Sequence, residues 1–197
     1  MVHSTAPDKP AAVVLTERLE SSTGLDSGVR LVRPLVHALL ADPGRADLLQ
    51  GKWLGHALHP PLTDVPIGAW TSATILDLVG GRKAQPAAKR LIGVGILAAA
   101  PTALTGWAEW GAAEQREQRV GVVHAGANIA ALTLYTASWR ARGKGRHPSG
   151  VALGLGGSLA VTIGGYLGGH LVAARKVASR HPAFADDDSL AGAPFIP

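Results

Sequence analysis

From Val151 to Ala174 the chain reads VALGLGGSLAVTIGGYLGGHLVAA, 24 residues without one Asp, Glu, Lys or Arg. A helix crosses the ~30 Å hydrocarbon core of a bilayer with about 20 apolar residues, at about 1.5 Å of rise each. A soluble helix of this length would carry a charged stripe every third or fourth position, and this one has none. Three further stretches are comparable: Pro61–Gly80, Leu91–Trp110 and Val120–Trp139. Charges and turn formers bracket them, in GGRKAQPAAKR, GAAEQREQR, RARGKGRHPSG and RKVASRH. Gly and Pro recur inside them, as membrane helices tolerate. The pattern predicts an all-α protein, an integral membrane antiparallel four-helix bundle with soluble or interfacial helices at its N-terminus.

The mean hydropathy, +0.18, averages this apolar domain with polar flanks. Residues 1–52 are expected to form a helical cap or interfacial region, 53–176 the four-span domain and 177–197 an irregular tail. In RLVRPLVHALLADPGRADLLQGKW, Leu and Val alternate with Arg at helical spacing. Such a segment either lies on the membrane surface with its arginines toward lipid phosphates, or packs on the bundle. The N-terminus shows no basic stretch followed by a long apolar core, so no cleavable signal peptide is expected. Lys and Arg flank the apolar runs and form no face with aromatics, which argues against nucleic acid despite the net charge of +5. Without cysteine, the chain offers no disulfide, thiolate ligand or cysteine nucleophile.

Cations near span ends set orientation. The first and third loops carry Arg82, Lys83, Lys89, Arg90, Arg140, Arg142, Lys144 and Arg146, eight in all. The other side has seven: Arg45, Lys52, Arg116, Arg119, Arg175, Lys176 and Arg180. Glu109, Glu114 and Glu117 dilute that side, so the expectation is a multi-pass plasma-membrane protein with both termini outside.

Converting position to depth in an antiparallel bundle brings the polar groups together. His56, His59 and Asp64 stand where the first span begins, Thr105 and Glu109 where the second ends. His124, with Asn128 one turn deeper, opens the third, and His170 lies near the end of the fourth. Asp77, at the opposite end beside Arg82 and Lys83, reads as an end-of-helix charge. His37, His147 and His181 read as surface residues. Ionisable groups inside a membrane are costly and mark function. Four histidines and two carboxylates at one depth suit a metal: imidazole serves Fe, Cu and Zn, and carboxylates ligate or orient. One form is a non-haem centre of one or two metal ions built from His56, His59, Asp64, Glu109, His124 and His170. The other is a single haem b held by axial histidines among His59, His124 and His170, with small residues beside them in HAGAN and GGYLGGH. Glycine runs of this kind also serve plain helix packing.

LGHALHPPLTDVPIGAW, TALTGWAEW, VGVVHAGANIAALTLYTASWRAR and GGYLGGHLV, taken in order, resemble the bacterial membrane family catalogued as domain of unknown function 2231, from about Leu48 to Ala174. His56, His59, His124 and Asn128 match its motifs. Glu109 stands where the family carries aspartate; Ala57 replaces a common proline, and Asp64 a frequent histidine. The segment around LVRPLVHALL resembles the actinobacterial branch, whose membrane domain is often joined to a Rieske iron–sulfur domain. The resemblance implies a four-span domain in a redox setting, with a separate Rieske-type or other respiratory protein as partner, since these residues hold no cysteine for a cluster. It implies no defined reaction.

Electron transfer through a haem or metal is therefore the leading expectation, in a protein embedded in lipid and able to form homo-oligomers. The alternative is a structural or assembly subunit of a respiratory complex, its polar layer only hydrogen-bonded. A proton-linked transporter finds no inverted repeat to support it. No G-x-S-x-G, Walker loop or H-E-x-x-H signature points to hydrolase, nucleotide or zincin chemistry.

Overall fold

The computed structural model describes residues 9–178, and every regular element among them is helical. Three short helices, α1 (Ala11–Ser21), α2 (Asp26–Leu39) and α3 (Pro43–Leu49), precede four long ones. These are α4 (His59–Val79), α5 (Gly81–Gly111), α6 (Gln115–Gly143) and α7 (His147–Gly169), the last running on through a π turn, His170–Ala174. α3 starts where the sequence would start it: Asp42 caps it, its Oδ1 accepting from the Arg45 N–H at 2.7 Å, and Pro43 fills the first turn.

Among the described residues, three helices are long and apolar enough to cross a membrane: α5, α6 and α7 with its π turn. The first expected span exists as α4 but is not among them. Asp64, Asp77 and three prolines dilute its apolar content. Four crossings were expected; three helices qualify. Their patterning is inside-out. Leu97, Ile129 and Leu159 are 78%, 62% and 65% exposed, while Thr102, Thr105, Ser138 and Arg142 are buried. Lipid, like the core, is apolar, so the interior can be given to small and polar residues that bind helices to each other.

The long helices form two antiparallel hairpins, α4 with α5 and α6 with α7, each more intimately packed within than against the other. Trp70 of α4 stacks on Tyr135 of α6, with centroids 4.4 Å apart and planes 13° from parallel, and joins the hairpins. Gly95 admits the Trp70 indole against α5, where it donates to the Ile92 carbonyl at 3.3 Å. The Tyr135 hydroxyl lies 2.9 Å from Ser158, which lies 2.7 Å from Thr74, so one chain of hydroxyls ties α6, α7 and α4.

The glycines of α7 form a groove for α6. Gly150, Gly154, Gly157, Gly164 and Gly168 lie against Arg142, Ser138, Tyr135, Asn128 and His124 in antiparallel order. A side chain at these positions would occupy the space those groups fill. Arg142 and Asp77 change meaning here. The Arg142 side chain is fully buried, and its fork meets the Asp77 carboxylate with Nη1 to Oδ1 at 2.8 Å. Asp77 is therefore no loose end charge beside Arg82 and Lys83, but one half of a buried bridge from α4 to α6. Removing Arg142 from the loop cations leaves seven on each side, so only the three glutamates still weight the expected orientation.

The N-terminal helices pack on the bundle end. Val29 and Val36 of α2 are buried against Trp110, flanked by Val32, Leu40, Trp107 and Val122. Arg119 pairs with Asp26 at 2.7 Å. The hydrogen bond from Arg119, helped by one from Gln115, holds the Asp26 carboxyl down at about 2. Residues 1–8, His181 and the expected tail beyond 178 lie outside the described residues.

Candidate functional site

Pro66 of α4 has no N–H, so the Leu62 carbonyl loses its helical donor. The Thr102 hydroxyl of α5 supplies one across the hairpin at 3.2 Å. One turn of α4 earlier, His59 Nδ1 donates to the Thr102 backbone carbonyl at 2.9 Å, its ring lying against Gly106. The second hairpin repeats the device. His124 Nδ1 of α6 donates to the Gly164 carbonyl of α7 at 2.8 Å, its ring lying against Gly168. A carbonyl can only accept, so each ring carries a proton on Nδ1, and the Asn128 amide leaves a lone pair on His124 Nε2. The rings face each other from opposite hairpins, centroids 6.4 Å apart and planes at 85°.

Between the hairpins at this level lies a cavity of about 380 Å³. His59, His124 and Asn128 line it, among Trp70, Trp107 and Trp110. Asn128 donates its amide N–H to His124 Nε2 at 3.0 Å, while His59 Nε2 has no partner among the described residues. A second cavity, of about 180 Å³, is bordered by His56, Gln50, Arg175 and Lys176. Glu109 and Glu117 line both. Glu109 Oε1 is buried without a partner; so is Glu117 Oε2, although Arg116 holds the other Glu117 oxygen at 2.8 Å.

The expected ligands thus separate. His59, His124 and Glu109 share the large cavity, with Asn128 beside them. His56 is exposed, its Nδ1 on the Ala57 carbonyl at 3.0 Å, and borders only the smaller cavity. Asp64 is exposed on α4 and lines neither. His170 turns away: its Nε2 meets Glu20 of α1 at 2.7 Å, and Arg175 holds the same carboxylate. Burial alone would raise the Glu20 carboxyl; hydrogen bonds from Arg175 and His170 outweigh it and hold it below its usual range. His147 is half-buried with its Nδ1 enclosed and unpartnered; it was expected at the surface.

Glu20, Glu117 and the Asp77–Arg142 pair went unrecognised in the sequence. The first two stand outside the apolar runs. For the pair the signal was available: Ser138 and Arg142 are one helical turn apart, as are Gly150 and Gly154 on the helix that faces them.

The six residues expected for a non-haem centre are not gathered at one point. Among the described residues no three His, Asp or Glu converge as metal ligands would. Haem fits better. Two imidazoles from opposite hairpins, each anchored through Nδ1 to a carbonyl, carry the outer hydrogen bond that orients axial ligands. One obstacle stands within the donor set, the Asn128 amide on His124 Nε2.

Residues 55–181 match the family described as "Predicted membrane protein (DUF2231)". No curated protein and no solved structure matches the chain.

Proposed function

The chain belongs to the DUF2231 family of predicted membrane proteins, and we propose that it is a four-span, haem-binding electron carrier of the plasma membrane. The reading rests on one observation: two carbonyl-anchored histidines facing each other at 6.4 Å beside a cavity of about 380 Å³. Support for α4 as the fourth span comes from its packing and its outer face. Its 21 residues rise about 31 Å beside α5, its outward side chains include Val65, Ile75, Leu78 and Val79, and Asp77 is neutralised by Arg142.

His59 and His124 would hold the iron through Nε2, and the bound group would supply one-electron exchange. The chain's own residues do the rest. The Thr102 and Gly164 carbonyls fix each tautomer and keep the lone pairs available. Gly106 and Gly168 let the rings lie close to α5 and α7, and Trp70, Trp107 and Trp110 give the cavity an apolar wall. Asn128 holds His124 Nε2 in the free protein and would have to release it for iron to bind. Glu109 and Glu117 line both cavities and would be placed to hold a proton that balances charge on the bound group.

Protein expressed with haem supply and purified in mild detergent should show a Soret band that shifts on dithionite reduction. His59→Ala and His124→Ala should each abolish it, while His170→Ala and Asn128→Ala should retain it. A preparation that stays colourless after incubation with hemin overturns the proposal. The second reading, a structural subunit, is favoured by the Asn128 contact, which completes the hydrogen bonding of His124 within the protein. In that case His124→Ala would lower stability with no spectrum to lose.

A further inference from the structure

α2 has a wider apolar arc than the bundle covers. At about 100° per residue, Val29 and Val36 mark the face buried on Trp110, and Val32, Leu39, Leu35 and Leu31 continue from it around one flank. Leu31 and Leu35 are 76% and 71% exposed. The opposite flank carries Arg30 and His37, also exposed. The level of this helix is set by its contacts. Val36 and Leu40 meet α5 at Trp110 and Gly111, where its apolar run ends, and Gly28 approaches Val122, where that of α6 begins. Just ahead of α4, Trp53 projects outward, 65% exposed. An exposed leucine flank on a helix packed where these apolar runs end needs an apolar cover. A tryptophan at the same end suits the headgroup boundary.

We infer that α2 is a membrane-interface helix, its Leu31–Leu35 flank resting in the lipid headgroup–acyl boundary and its Arg30–His37 flank facing water. The arrangement joins both expectations for this segment: α2 packs on the bundle through one part of its apolar arc and touches lipid through the next. The arginine side is not what enters the membrane. The bilayer itself is the partner, with the tethered span domain holding the helix at that depth.

Because the chain has no cysteine, single cysteines at 31, 35, 30 and 37 can carry a nitroxide with no background labelling. All four side chains are exposed, so the label displaces nothing packed. In vesicles of phosphatidylcholine with phosphatidylglycerol, labels at 31 and 35 should collide several-fold more with oxygen than with a water-soluble nickel chelate. Labels at 30 and 37 should show the reverse. Equal chelate access at all four positions overturns the inference. So does occlusion of 31 and 35 from both quenchers, which would put a protein surface on the flank. The measurement needs no cofactor, so its outcome is independent of the haem reading.

Discussion

The bundle has two polar layers, one near each end, and they are built in opposite ways. At the Asp77 end a full charge pair is closed: the Arg142 side chain has no exposure, its fork meets both Asp77 oxygens, and Ser138 accepts from Nε at 3.2 Å. At the His59 end the layer stays open. His59 Nε2, Glu109 Oε1 and Glu117 Oε2 have no hydrogen-bond partner among the described residues, and all three residues line one cavity. Buried polar groups are ordinarily paired, because each unpaired one costs about 1–3 kcal/mol. The closed layer therefore reads as a fastener between hairpins, and the open one as a place kept for something else.

The difference can be broken at its strongest point. Arg142→Ala strands the Asp77 carboxylate and should cost about 3–5 kcal/mol, read as a loss of thermal or denaturant stability in detergent. His59→Ala should cost clearly less, since its ring leaves a cavity wall and not a buried charge. A similar loss for both would erase the distinction between the layers. The glycine groove offers a finer cut. Gly164→Ala places a methyl 2.6 Å from Asn128 Oδ1 and must displace the amide from His124, whereas a methyl at Gly165 meets nothing. The first should cost about 1–3 kcal/mol; the second should be neutral or stabilising by up to about 1 kcal/mol, as an alanine in a helix allows. If both behave alike, the α6–α7 contact is looser than the groove implies.

The smallest effect concerns pH at the edge of the open end. Asp26 is held at about 2, and Glu20 below its usual range, by partners that bind α1 and α2 to α6 and to Arg175. A depressed carboxyl adds stability that is complete above its unfolded value, about 4, and fades as pH falls through the folded one. Amide exchange in residues 11–39 should therefore accelerate between about pH 4 and pH 2 before that of α5 to α7 does. Simultaneous loss in both regions would show that these pairs do not govern docking of the cap.

Much of this was legible in the chain as written. Uncharged runs marked α5, α6 and α7 because hydrocarbon tolerates no unpaired charge, and the length of a span is set by bilayer thickness. Depth arithmetic placed His59, Glu109 and His124 on one level, and the structure has all three lining one cavity. Depth says nothing about rotation. His170 shares that level, yet its side chain leaves the bundle for Glu20. Asp64 lies on the correct helix but on its outside. Direction around a helix axis is decided by which neighbours the helix packs against, and a hydropathy pattern that is apolar all round carries no such record. The same reasoning explains Arg142, which looked like one more loop cation until Gly150 and Gly154 made room for it against α7. Composition and spacing determined that the chain belongs in a membrane and which polar groups share a level. Only the packing of glycine against side chain decided which groups meet, because contacts between helices distant in sequence depend on shape that no single segment encodes.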